Sequence, residues 1–219
     1  MKKGKSPGLE GFSSELYKFF WSDLKYFAVR SFNQAYTRGY LSVSQRQGVI
    51  TCLPKEGKYK FYLQNWRPIS LLNVDYKMCA SAIALRFKKV LTYLISDTLM
   101  GFMKGRFIGE CTRLMCDIIE KCDECNIPGD LILLDFEKAF DSVEWNFIRK
   151  SLEFLGFGPS IIHWFETFYH NSESCVLNNE HLSKRFKIER GGRQKHLYPL
   201  IYLFCQSNYS ALQLNFTLI

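Results

Sequence analysis

Four apolar residues, Leu131-Ile132-Leu133-Leu134, run directly into Asp135. A run this short, unbroken and free of charge reads as a β-strand buried on both faces. Such a strand constrains the fold strongly, because it must lie inside a sheet covered by other elements. It also delivers a carboxylate at its C-terminal end. Burying a carboxylate is costly unless something compensates it, and a bound divalent cation is a good compensator. Taken alone, the stretch from Asp135 to Asp141 is better explained by Asp135 capping the next helix while Asp141 stands in solvent.

Helical and strand patterns alternate on both sides of this run. Ser13 or Ser14 can cap a helix reaching about Tyr36, with Phe19, Phe20, Leu24, Phe27 and Val29 as its apolar stripe and Gly39 as its stop. Gln47–Leu53 alternates as a strand, and Pro54-Lys55-Glu56-Gly57-Lys58 reads as a turn. The residue before Pro68 must be extended. Asp75 is placed to cap a helix from Tyr76 to about Ile95, and a further helix covers about 112–125. Helices at about 144–155, stopped by Gly156, and 159–170 follow. Ser174–Ile188 reads as a hairpin turning at Asn178-Asn179-Glu180. The class is α+β or mixed α/β, with the 131–134 strand central.

Charge is unevenly placed. The chain of 219 residues carries 29 Lys+Arg and 21 Asp+Glu, a formal +8. Residues 1–70 hold 12 of the cations and 4 of the anions, so the whole excess lies in the first third. That segment is suited to meeting a polyanion, a nucleic acid or a nucleotide phosphate, although a solvated basic surface explains the charge equally well. The composition is that of a globular chain with room for one large domain. No apolar run is long enough to span a membrane, and the basic start, Met1 to Gly8, lacks the apolar core of a secretory signal. The eight cysteines are scattered, which fits reduced thiols in an intracellular protein of the nucleus or cytoplasm. Cys111, Cys116, Cys122 and Cys125 fall on one helix, from which four thiols cannot converge on a tetrahedral zinc.

The residues from Leu134 to Val143, LDFEKAFDSV, closely resemble the A motif of reverse transcriptases, in particular those of non-LTR (long interspersed element) retrotransposons. The resemblance continues in order along the chain. Ser6–Phe12 resembles the family's SPGxDGF opening, with Glu10 in place of Asp. Ile50–Lys58 and Asn65–Leu72 resemble its first and second fingers motifs. Gly101–Ile108 is similar to QxGFxxGRxI, with Met100 where Gln is common. Gly192-Arg193-Gln194 resembles the start of motif B. Six ordered elements over about 190 residues put chance similarity out of reach; maturase-type reverse transcriptases are the related alternative.

The resemblance implies a right-hand polymerase fold, of which this chain holds the fingers and a partial palm in residues 1–194. Asp135 would be the first metal-binding aspartate, with the carbonyl of Phe136 as a further ligand, for Mg2+ or Mn2+. Phe140 would be the aromatic gate beneath the sugar, or core packing, or both. Lys55 and Arg67 would lie near the triphosphate of the incoming dNTP. Arg offers a planar fork to phosphate oxygens, and Lys a point charge. Gln194 would contact the nucleotide or template. Lys104 and Arg106 would touch the backbone of the RNA template or DNA primer, or stand as solvated cations. Whether Asp141 binds metal stays open.

After Gln194 the pattern departs from the family. Motif B should continue RQGDPLSPYLF, and the chain instead has Lys195-His196-Leu197-Tyr198-Pro199-Leu200. If His196–Phe204 are encoded CAC CTT TAT CCC CTT ATA TAT TTA TTT, dropping the first two bases gives Pro-Leu-Ser-Pro-Tyr-Ile-Phe-Ile. Residues 196–219 also lack any Asp, Glu, Lys or Arg, roughly a one-in-a-thousand run at ordinary composition. Residues 195–219 therefore read as a frame-shifted tail. No Ala-Asp-Asp occurs in the chain, so the family's second metal-binding motif is missing, and the polypeptide as written is expected not to polymerise DNA. Three readings stand: a polymerase fragment, a non-catalytic RNA-binding remnant, and an unstable pseudogene product.

Overall fold

The structure is a computed structural model that describes residues 4–94, 105–130 and 139–192. The apolar strand 131–134, Asp135, Phe136, Lys104, Gln194 and the tail 195–219 lie outside the described residues. Within them, helices and a small mixed sheet share one core, in keeping with the expected mixed class.

The expected first helix is two. α1 (Ser14–Phe19) starts on Ser13, whose Oγ accepts from Leu16 N at 3.4 Å, and α2 (Trp21–Arg38) follows after a break at Phe20. Gly39 ends α2 with φ 75°, the left-handed conformation that glycine adopts freely. The expected apolar stripe does not face the core. Phe19 and Phe27 are 80% and 72% exposed, while Ala35 is buried and Phe32 packs beside it. The covered part of α2 is its C-terminal end, where Tyr36 lies against His163 and Trp164.

Strand β1 (Gln47–Pro54) pairs antiparallel with β2 (Trp66–Leu72) and parallel with β3 (Glu173–Asn178). Strands β4 (His181–Leu182) and β5 (Phe186–Lys187) both pair antiparallel with β3. Among the described residues β2 is an edge, which is where Pro68, lacking an N–H, is tolerated. The hairpin turns at Asn179 and Glu180, both at positive φ (46° and 66°), the conformation that lets two residues close a twisted hairpin.

Helix α4 (Val74–Leu94) begins before Asp75, so Asp75 is not its cap. Helix α5 (Ile108–Glu124) starts four residues earlier than expected. The short α6 (Ala139–Ser142) was not foreseen, and α7 (Trp145–Phe154) and α8 (Pro159–Tyr169) fall where expected. The core joins α2, α4, α7 and α8 through Ala35, Tyr76, Ile83, Leu152 and Phe168, all buried. Among the described residues no helix is long and apolar enough to cross a membrane.

Asp75 instead ties two elements together. The box at the start of α3 (Val43–Arg46) uses the Gln45 side-chain oxygen, and the Gln45 amide nitrogen donates to Asp75 Oδ2 at 2.8 Å. Next to it Asn73, almost wholly buried, donates to Ser44 O and accepts from Glu10 N, which docks the N-terminal segment here. Gly8 lies against the Asn73 and Leu72 backbone, leaving no room for a Cβ. Burial raises the Asp75 carboxyl above the ordinary range, and the Glu10 charge adds to this. Burial and the Asp75 charge likewise push the Cys79 thiol up to about 12.

A raised carboxyl binds its proton more tightly in the folded chain. Its stabilising contribution is therefore complete below the unfolded pKa, about 3.9, and is lost as pH rises through the folded value. At pH 7 the ionised Asp75 is a net cost. Asp75→Asn removes the charge while keeping an acceptor for Gln45, and should raise the thermal midpoint at pH 7. At pH 3.5 the two proteins should melt together. Equal midpoints at pH 7 would refute the account.

Candidate nucleotide and nucleic-acid interface

The β1–β2 hairpin carries the first two candidate residues. Pro54 opposes Trp66 and Leu53 opposes Arg67, so alternation along the strands places Arg67 on the face shared by Leu53 and Ile69. Lys55 is two residues beyond Leu53 and continues that face. The Lys55 backbone N–H donates to Asn65 O at 2.8 Å, and its Nζ donates to Gln64 O at 2.9 Å, so Lys55 is tied to the hairpin with donors to spare. Leu53 is 50% and Ile69 39% exposed. The face is thus a partly apolar surface flanked by two cations, suited to a flat base beside a phosphate.

The other face of the sheet has a different neighbour. Ile50 opposes Ser70 and Ser174 opposes Gly48; Ile50, Ser70 and Ser174 line a cleft of about 350 Å³ completed by Asp141 and Arg190. The structure therefore separates Asp141 from Lys55 and Arg67. Within the cleft Ser174 Oγ is buried and meets no hydrogen-bond partner among the described residues. The wall beside Asp141 is clasped: Gly191 N donates to Val143 O at 2.8 Å, and Trp145 Nε1 donates to Gly191 O at 3.0 Å. Glu144 and Arg190 form a bridge alongside. This clasp joins the end of the A-like motif to the residues that lead into Gln194.

Of the remaining candidates, Phe140 has its backbone in α6. Arg106 is half-buried just before α5, away from the residues that line the cleft. Asp135, Phe136, Lys104 and Gln194 fall outside the described residues. Among those described, no group of three or more His, Cys, Asp or Glu could hold a metal ion. The described residues do not by themselves form a divalent-cation site.

Two features escaped the sequence reading. Lys187 and Arg190 reach the cleft, but nearby carboxylates cancel them in any regional charge count. The hairpin tip exposes Tyr59, Phe61 and Tyr62, and its signal lies in the alternation Lys58-Tyr59-Lys60-Phe61, which runs on from the turn at Pro54–Lys58.

Residues 53–194 match the family model for reverse transcriptases (RNA-dependent DNA polymerases), and the chain belongs to that family. Its similarities place it in the non-LTR retrotransposon branch. It is 36% identical over 194 residues to the 149 kDa protein of transposon TX1 from Xenopus laevis, covering 89% of this chain and 15% of that protein. It is 26% identical over 157 residues to a 115 kDa protein of the type-1 retrotransposable element R1DM from Drosophila melanogaster, covering 71% of this chain and 15% of that protein. The chain thus spans a small part of either relative's length.

Proposed function

We propose that the chain is the fingers and part of the palm of an RNA-directed DNA polymerase that copies an RNA template from a DNA primer with dNTPs. The observation that carries this reading is the hairpin register, which sets Lys55 and Arg67 on one open, partly apolar face. Arg67 would hold phosphate oxygens as a fork, Lys55 would add a point charge, and Leu53 and Ile69 would lie against the base. Phe140 and Gln194 would border the sugar and base, and Lys104 and Arg106 the nucleic-acid backbone. Divalent ions, Mg2+ or Mn2+, would supply the chemistry of nucleotidyl transfer, with Asp135 and the Phe136 carbonyl as ligands.

This polypeptide alone is inactive in that reading. One aspartate cannot hold the two ions of a phosphoryl-transfer site, and no Ala-Asp-Asp follows it. The end of the family match at residue 194 supports a frame change near Lys195. The test is to sequence the locus through the codons for Arg190–Ile219 and beyond, then express the chain both as written and with the frame restored and continued. In primer extension with Mg2+, the chain as written should add no nucleotides. The restored chain should extend, and its Asp135→Asn variant should not. Extension by the chain as written overturns the inactivity. A restored frame without PLSPY and Ala-Asp-Asp overturns the frame change.

A further inference from the structure

The tip of the β1–β2 hairpin exposes large apolar residues at four of five consecutive positions: Tyr59 is 78% exposed, Phe61 95%, Tyr62 61% and Leu63 85%, with only Lys60 interrupting them. Contiguous exposed apolar surface of this kind marks an interaction site. The loop that carries the rings is nevertheless held by specific bonds. Asn65 Nδ2 donates to Tyr59 O at 2.9 Å and Trp66 Nε1 donates to Lys60 O at 2.8 Å. Asn65 N donates to Tyr62 O at 2.9 Å, and Lys55 Nζ closes the base on Gln64 O. The loop's carbonyls are satisfied inward while its rings are left outward. Ordering such a loop on binding costs little.

The charge at the tip selects the occupant. From Pro54 to Arg67 there are four cations, Lys55, Lys58, Lys60 and Arg67, against one carboxylate, Glu56. Cations and rings alternate along Lys58-Tyr59-Lys60-Phe61, which offers a phosphate contact beside each stacking surface. Unpaired bases have free faces and a backbone charge at every step, whereas a duplex hides its faces in its own stack. We propose that Tyr59, Phe61 and Tyr62, with Lys58 and Lys60, form a stacking platform that grips the single-stranded RNA template beside the nucleotide face of the same hairpin. The platform rests on the polymerase reading for its RNA, and it extends the interface to residues that reading does not use.

Fluorescence anisotropy of the full chain with a labelled, unstructured RNA of about 20 nucleotides, longer than one such site, tests this. The triple variant Tyr59→Ala/Phe61→Ala/Tyr62→Ala should bind at least about tenfold more weakly, since stacking is worth several-fold or more per base, with the salt dependence unchanged. Lys58→Ala/Lys60→Ala should instead flatten the slope of log affinity against log salt by about 1.4, the value for two single-strand phosphate contacts. Binding to an RNA duplex of equal length should be untouched by the triple variant. All three rings are exposed, so circular dichroism melts should coincide with wild type.

Unchanged single-strand affinity in the triple variant overturns the platform. So does an equal loss on the duplex, absence of RNA binding by wild type at low salt, or a loss confined to anionic vesicles, which would make the tip a lipid contact. The polymerase reading fails separately. If the frame-restored chain does not extend a primer while RNA affinity still depends on the rings, the platform stands without it.

Discussion

Phe168→Ala should destabilise the chain by about 3–5 kcal/mol, the range for removing a buried aromatic ring from a packed core. Phe168 is fully buried at the meeting of α4 and α8. Its ring meets Tyr76 edge-on, with centroids 5.6 Å apart, and stacks on Trp164 at 5.5 Å. Such pairs add roughly 0.5–1.5 kcal/mol beyond burial. The same helix hands over to the sheet. Ser172 O, four residues on, accepts from Ile188 N at 2.9 Å, so slack at Phe168 reaches the registry of β3 with β5. Urea unfolding followed by circular dichroism should show the loss as a lower midpoint. Phe168→Leu, which keeps most of the volume, should cost less than about 1.5 kcal/mol. A cost below 1 kcal/mol for Phe168→Ala would mean that this core is not packed as described.

The helices around that core were legible because their signals are local. Gly39 and Gly156 stop α2 and α7 by adopting positive φ (both 75°), and Pro159 starts α8 in its first turn, where its missing N–H costs nothing. What escaped depended on partners distant in the chain. Asp75 looks like a cap, but its role comes from Gln45, thirty residues earlier in the chain. The parallel pairing of β1 with β3 joins residues more than 120 positions apart, and no local pattern announces such a partner. The stripe on the first helix failed for a related reason. α2 meets α8 through Tyr36, whose ring lies 5.1 Å from that of Trp164, while Phe27, nine residues earlier, is 72% exposed.

The candidate site divides along the same line. Lys55 and Arg67 come from motif resemblance, and the β1–β2 pairing sets Arg67 opposite Leu53, two residues before Lys55. Asp141 was found in the same way, yet it lines the opposite side of the sheet. Motif order is a one-dimensional record, and the alternation of strand side chains decides which of its members face one another. The rings at the hairpin tip show the complementary failure. They follow directly on the turn residues Pro54–Lys58, and exposed aromatics between lysines carry information that a turn does not need.

Gly191 is where the remaining geometry can be tested most sharply. It sits at φ 82°, and a Cβ there would lie 2.8 Å from Asp141 O and 3.1 Å from Asp141 Cα. A left-handed conformation costs an alanine roughly 1–2 kcal/mol. The collision is with backbone, so it cannot be relieved by turning a side chain. Relief requires Gly191 to move off α6, which breaks its bonds to Val143 O and from Trp145 Nε1 and strains the Glu144–Arg190 bridge. Each such bond is worth about 0.5–1.5 kcal/mol, so with the backbone strain Gly191→Ala should cost about 2–5 kcal/mol. Gly57→Ala is the control. Gly57 also has positive φ, 69°, but a Cβ there meets nothing within 4 Å, so it should show the backbone strain alone. The two variants should therefore differ by at least about 1 kcal/mol in urea unfolding, the smallest total that two lost hydrogen bonds imply. Equal costs would mean that the clasp between the A-like motif and Gly191 contributes nothing. A difference of the expected size would show that the run into Gln194 is registered on α6, so that any change in one segment is felt by the other.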